Sequence, residues 1–273
     1  MPWRTFVQMK LSFLSPEQHA GYERDGYLLI ENFLSPDEVR RAKAGIDREC
    51  AARASMTKDA DGFNLEKVGD DSMNADATAK GAGIFRKIQG AVFHVPEALE
   101  IFTSPKTVKC MRDIIGASVY LHSSKVMFKP ANGGAAKPWH QDAAYWKNYE
   151  PKQVTVWLAL DDATEENGCI WAIPGSHHLG LIPHVARELQ VEESRIDMAK
   201  AVPVPVKPGG LLIFHSLVLH MSKKNTSDKN RCAIICDYDC SPNPCLDLGT
   251  RPSAFAHPTL RADGVWPLAE AAV

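Results

Sequence analysis

No stretch of this sequence approaches the roughly 18–20 consecutive apolar residues that span a bilayer, so no membrane-spanning helix is expected. Neither sign of charge dominates: 31 Lys and Arg stand against 33 Asp and Glu. The chain therefore lacks the basic footprint of a protein that binds nucleic acid or an anionic membrane. Residues 1–10 hold no long apolar core followed by a small-residue cleavage site, and they are not rich in Arg and Ser. A cytoplasmic protein is expected on that ground, with Met9 a second candidate start. Internal repeats and low-complexity linkers are missing too, which makes one domain over 1–273 the expected organisation. Seven cysteines, an odd number in a long chain, argue against a disulfide framework. Cys232, Cys236, Cys240 and Cys245 do not follow the Cys-x2-Cys spacing of zinc sites and read as packed thiols.

What is present divides into three parts: a helical N-terminal part over about 1–118, a β-rich core over about 119–242 and a wrap over 243–273. Ser15-Pro16-Glu17-Gln18 and Ser35-Pro36-Asp37-Glu38 are helix starts, each with Ser at the cap and Pro in the first turn. The first predicts a helix to about Asp25-Gly26. The second predicts one to about Arg53, with Val39, Ala42 and Ile46 on one stripe. Between them 27–30 reads as a short strand. Residues 54–83, rich in Asp, Gly, Lys and Asn, predict a long loop or partly ordered lid. Residues 85–89 resume alternation, and 96–102 and 105–115 predict helices. Strands are expected at 119–129, 153–160, 168–173, 201–206, 210–214 and 231–238. Short strands separated by Gly and Pro turns imply a mainly β fold with flanking helices, built on a double-sheet jelly roll. The polar stretch 184–200 reads as a helical insertion over one mouth.

The chemistry concentrates in Trp139-His140-Gln141-Asp142 and in His220. Side chains at i and i+2 of a strand share a face, so His140 and Asp142 can aim an imidazole and a carboxylate at one point. With His220 they form the two-His, one-carboxylate set that leaves half of an Fe(II) coordination shell open for substrates and O2. Arg231 follows eleven residues later, a permanent cation whose planar fork suits the carboxylate of 2-oxoglutarate. His215 reads as a packed histidine, because a fourth protein ligand would close a position the chemistry needs. His177 and His178 follow a turn and read as exposed or lid-related, and His94 and His122 as structural.

These residues occur together with Asp25-Gly26-Tyr27, Asn32-Phe33-Leu34-Ser35, Phe128-Lys129-Pro130, Glu166-Asn167-Gly168-Cys169 and Ile173-Pro174-Gly175-Ser176-His177. Over most of its length the chain resembles the phytanoyl-CoA dioxygenase family of Fe(II)/2-oxoglutarate oxygenases. The resemblance implies a double-stranded β-helix of the cupin kind. It implies Fe(II) on His140, Asp142 and His220, and the distal carboxylate of 2-oxoglutarate on Arg231 and Ser222. It also implies Lys87 and Trp157 as further lining of that pocket. The activity implied is hydroxylation of a small molecule with release of succinate and CO2; the presence of Asp142 favours hydroxylation over halogenation. Gln141, Lys125, Trp146 and Asn148 are candidate substrate contacts, with Tyr145, Asn74 and Gln89 beside them, and suggest a small polar or anionic substrate. Two other classes stand as alternatives: a zinc-dependent hydrolase on the same ligands, and a non-catalytic cupin-like binding protein. The oligomeric state is open.

Overall fold

A computed structural model describes residues 11–70, 77–116, 119–145, 153–185 and 189–239, and the backbone of 260–261. The chain opens with α1 (Pro16–Asp25), β1 (Tyr27–Ile30) and α2 (Pro36–Ala51). Both helices begin with full capping boxes: the Ser15 and Ser35 hydroxyls accept from the N3 amides, and Gln18 and Glu38 reach back to the cap amides. Then come β2 (Phe63–Leu65), β3 (Phe85–Gln89), α3 (Ala91–His94), α4 (Pro96–Phe102) and α5 (Pro105–Ile115). The second half is β4 (Tyr120–Lys129), β5 (Lys137–His140), β6 (Val154–Ala159), β7 (Ile170–Ala172), β8 (Val202–Val204), β9 (Leu211–His215), β10 (His220–Ser222), β11 (Arg231–Asp239) and β12 (Leu260–Arg261).

Two antiparallel sheets face each other as a double-stranded β-helix. The large one runs β1-β9-β6-β11-β4-β3-β2, with β12 also on β4, and the small one runs β5-β10-β7-β8. Alternation along β6 and β11 sorts their side chains. Val156, Leu158, Ile234, Cys236 and Tyr238 pack outward with Ile46 of α2, Phe102 of α4 and Met111 of α5. Trp157, Ala159 and Ala233 point the other way, joining Leu212 and Phe214 against Ile170, Ala172 and Val204 of the small sheet. The flanking helices thus cover one face of the large sheet and leave its other face to line the interior.

The division expected at residue 118 is not a division of the fold, because β1, β2 and β3 belong to the large sheet. Nor are residues 54–83 loop throughout. Phe63 and Leu65 of β2 are fully buried, and the Arg53 guanidinium lies 4.0 Å from the Phe63 ring centroid. A three-residue strand in polar surroundings leaves too little alternation to be seen in sequence. Among the described residues of the insertion at 184–200 the helical structure is limited to short 3₁₀ turns, at Glu193–Arg195 and Met198–Lys200. Its Val191 and Ile196 close over Trp139 on the outer face of the small sheet.

Candidate active site

In the small sheet His140 of β5 stands directly opposite His220 of β10, and their ring centroids are 4.1 Å apart. Each ring is fixed by its own backbone: His140 Nδ1 lies 2.8 Å from the Pro138 carbonyl and His220 Nδ1 lies 3.0 Å from the Val218 carbonyl. Those bonds place the proton on Nδ1 and leave the Nε2 lone pairs free to bind a metal. Asp142 does not continue the strand. It opens a 3₁₀ turn, Asp142–Tyr145, immediately after β5, so the chain bends to deliver its carboxylate. Asp142 Oδ1 lies 3.6 Å from His140 Nε2 and 3.8 Å from His220 Nε2. The three ligand atoms lie within 4.8 Å of one another, and all three residues are buried. Burial and the neighbouring His220 keep the His140 imidazole well below its ordinary range, hence neutral. Burial opposes ionisation of Asp142, but His220, His140, Lys125 and the Thr155 hydroxyl together hold it down at about 2. Two imidazoles and one carboxylate, converging without a fourth protein donor among the described residues, suit Fe(II) with open positions.

The far oxygen of Asp142 is held as well. Thr155 Oγ1 donates to Asp142 Oδ2 at 2.6 Å and lies 2.9 Å from Asp237 Oδ1. Asp237, opposite Thr155 on β11, also accepts from Ser123 and sits 3.7 Å from Lys125 Nζ. The carboxylate can then offer one oxygen to a metal while the other is pinned. Thr155→Val, which keeps the shape and deletes the hydroxyl, is expected to lower Fe(II) affinity by about 10–100-fold. Metal titration of the apoprotein reads this, and Thr155→Ser should restore most of the affinity.

Arg231, first residue of β11, is 3% exposed and extends along the Trp157 ring at 5.2 Å from its centroid. Its Nη2 donates to the Gly168 carbonyl at 2.9 Å, while its buried Nε has no partner among the described residues. Burial pulls its pKa down to about 10, so it is still a cation at neutral pH. A buried guanidinium that forms no ion pair among the described residues is costly alone and well suited to an incoming carboxylate. Gly168 is required here: its φ is +86° and a Cβ would lie 2.4 Å from the Lys223 carbonyl. Ser222, two residues after His220 on β10, shares that histidine's face. Lys87 pairs with Met127 in the next row of the large sheet, towards β2.

The other expected contacts divide. Lys125 is not a spare cation, because its charge is matched by Asp237; burial opposes its protonation, but Asp237 and Asp142 hold its pKa above the ordinary lysine value. Gln141 is committed to the fold. Its amide donates to Gly180 and Leu217 carbonyls at 2.8 and 2.7 Å and accepts from Ile182 N at 2.9 Å. Trp146, Asn148 and Asn74 lie outside the described residues. His215 points away from the cluster, its Nδ1 accepting from Leu217 N and its ring 5.4 Å from that of His177. His177 is half-buried, stacked on His178, and His94 packs edge-on against Phe63. Sequence reasoning missed Thr155 and Asp237. Both were visible as polar residues at inward positions of otherwise apolar strands.

A family model described as phytanoyl-CoA dioxygenase (PhyH) matches residues 22–233. The phytanoyl-CoA dioxygenase domain-containing protein 1 of Danio rerio is 31% identical over 258 residues, covering 81% of this chain and 88% of that protein. The L-proline trans-4-hydroxylase of Streptomyces griseoviridis is 28% identical over 246 residues, covering 80% and 84%. Among solved structures, EctD from S. alaskensis with 2-oxoglutarate and 5-hydroxyectoine superposes with a TM-score of 0.71 at 23% identity, over 89% of this chain and 82% of that one. The same protein with bound Fe gives 0.71 over 90% and 85%. Fold, ligand cluster and relatives define an Fe(II)- and 2-oxoglutarate-dependent dioxygenase. The chain belongs to the phytanoyl-CoA dioxygenase family.

Proposed function

We propose that His140, Asp142 and His220 hold Fe(II), and that Arg231 with Ser222 receives the distal carboxylate of 2-oxoglutarate. Lys87 and Trp157 complete the lining of that pocket. The observation that carries this reading is a pairing: three converging metal donors, and a buried guanidinium whose Nε has no partner among the described residues. Fe(II) supplies open positions at which O2 and 2-oxoglutarate are converted to succinate and CO2 while a substrate C–H bond is oxidised to the alcohol. The chain's own residues do the rest. Pro138 and Val218 fix the imidazole tautomers, Thr155 pins Asp142, and the Trp157 ring keeps water from the Arg231 cation. A hydrolytic metal site has no use for Arg231, and a binding module has no use for ligands left open. The substrate is a small polar molecule, a reading supported by the likeness to an L-proline hydroxylase. The test is Fe(II)-dependent release of succinate from 2-oxoglutarate by the purified protein, with gain of one oxygen atom in a candidate substrate read by mass spectrometry. No succinate, no iron uptake and no 2-oxoglutarate binding would together overturn it.

Lys87 adds a pH dependence. Burial, then the neighbouring Lys125 and Arg86, pull its ammonium down to about 8. The group is charged below that pH and loses its proton above it, so its help to a dianion is present at pH 7 and lost as pH rises. The KM for 2-oxoglutarate is expected to climb about tenfold per pH unit at its steepest above pH 8. Lys87→Met should start with a raised KM at pH 7 and show a flat profile through that range.

A further inference from the structure

Beyond the three metal donors, the same interior face carries two buried polar side chains without a hydrogen-bond partner among the described residues. Gln153 and Ser216 are each 1% exposed. Neither the Gln153 amide oxygen, nor its nitrogen, nor the Ser216 hydroxyl has a hydrogen-bond partner among the described residues. Buried amides and hydroxyls are almost always bonded, so two such groups side by side point to a ligand.

Their placement follows from the register. Thr155 stands opposite Phe214, and Val154 opposite His215. One step on, Gln153 stands opposite Ser216, and the Ser216 amide donates to the Gln153 carbonyl at 2.9 Å. Val154 and His215 point outwards, the first into the helix-covered core and the second to His177. Gln153 and Ser216 therefore share the inward face with Thr155, which touches Asp142, and with Phe214, whose ring lies 4.6 Å from that of His220. Cross-strand neighbours of this kind have Cβ atoms about 5 Å apart, and the next pair along a strand is about 7 Å away. The unpartnered pair is thus one small molecule's length from the iron ligands, on the side away from Arg231 and Trp157.

The surroundings set the kind of group it takes. Tyr238 opposes Val154, so Asp239, the next residue of β11 and 4% exposed, adjoins Gln153. On the other side lies Asp142. A carboxylate only accepts hydrogen bonds, so it would leave the Gln153 amide oxygen without a donor. An amide or hydroxyl both donates and accepts, and so pairs fully with an amide and a serine.

We propose that Gln153 and Ser216 form the specificity subsite of this oxygenase, holding a hydrogen-bond-donating head group (amide, amine or alcohol) and disfavouring a carboxylate there. This rests on the metal and 2-oxoglutarate assignment above. A substrate anchored at Gln153 and Ser216 presents carbon atoms one to three bonds from its head group to the metal, so oxidation falls close to that group.

The probes are L-proline, L-prolinamide and L-prolinol, one ring bearing a carboxylate, an amide or an alcohol. The readouts are succinate release by the Fe(II) enzyme with 2-oxoglutarate, and the melting temperature of the same complex without O2. The amide and the alcohol are expected to act at concentrations at least tenfold below the carboxylate, and Gln153→Met should erase that preference. Gln153→Met and Ser216→Ala should melt, without probe, at or above the wild-type temperature, because each removes a buried polar group that has no hydrogen-bond partner among the described residues. A carboxylate preference that survives in Gln153→Met overturns the proposal. If none of the three probes acts, the melting temperatures decide: a fall of a few degrees in either variant means a structural role and overturns it, and no fall supports it. Absorption of the Fe(II)–2-oxoglutarate chelate in the wild type reports separately on the assignment beneath; a normal chelate band with a carboxylate preference sinks the subsite alone.

Discussion

Asp142→Ala is expected to abolish Fe(II)-dependent succinate formation, with a fall of about three orders of magnitude or more, equivalent to about 4 kcal/mol at the transition state. The variant keeps both imidazoles, whose orientation is set by the Pro138 and Val218 carbonyls and not by Asp142. It loses the only negative charge in the cluster, so a divalent cation would be held by two neutral donors alone. The loss also leaves the Thr155 hydroxyl to donate to Asp237 alone. Folding should survive, because Asp142 sits in the 3₁₀ turn after β5 and takes no part in the strand ladder of either sheet. The measurement is metal content and succinate yield, side by side with the melting curve. A variant that binds iron as the wild type does, and keeps a tenth of its activity, would show that the metal is held elsewhere.

Arg231→Leu separates cosubstrate binding from metal binding. Losing a buried, charge-assisted pair costs about 3 kcal/mol, or about 150-fold in the affinity for 2-oxoglutarate. Iron uptake should be unchanged. Stability carries a second sign. Without 2-oxoglutarate the wild type buries a cation whose Nε has no partner among the described residues, so the leucine variant should melt no lower than the wild type. Adding 2-oxoglutarate should then raise the wild-type melting temperature and leave that of the variant unmoved. Arg231→Lys should recover little, because an ammonium cannot present two parallel donors while also keeping the bond to Gly168. A variant of unchanged cosubstrate affinity would move the carboxylate site away from Arg231.

The helices and strands were legible where local chemistry decides them. Ser15 and Ser35 announced their helices through paired capping residues, and β6 and β11 announced themselves through alternation. The convergence of His140, Asp142 and His220 was legible because each lies in a distinctive local motif. The mode of delivery was not: a strand was expected to carry Asp142, and a 3₁₀ turn does. Gln141 shows why contacts resist reading. A glutamine between two metal ligands looks like a substrate contact, yet its partners at 180, 182 and 217 are distant in sequence. Thr155 and Asp237 escaped for the same reason, since their value lies in a pairing across strands 82 residues apart. β2 was lost because three residues carry almost no periodic signal.

Gln141 has a kinetic consequence. Its backbone connects His140 to Asp142, its amide is tied to Gly180, Ile182 and Leu217, and its own N–H donates to His184 Nε2 at 3.0 Å. The segment around 180–184 cannot swing out unless those bonds break, and breaking them frees the residue that joins His140 to Asp142. Opening of that segment and loosening of the metal are therefore a single local event. Under the proposed metal assignment its frequency, not the strength of any one coordinate bond, would set how long iron stays.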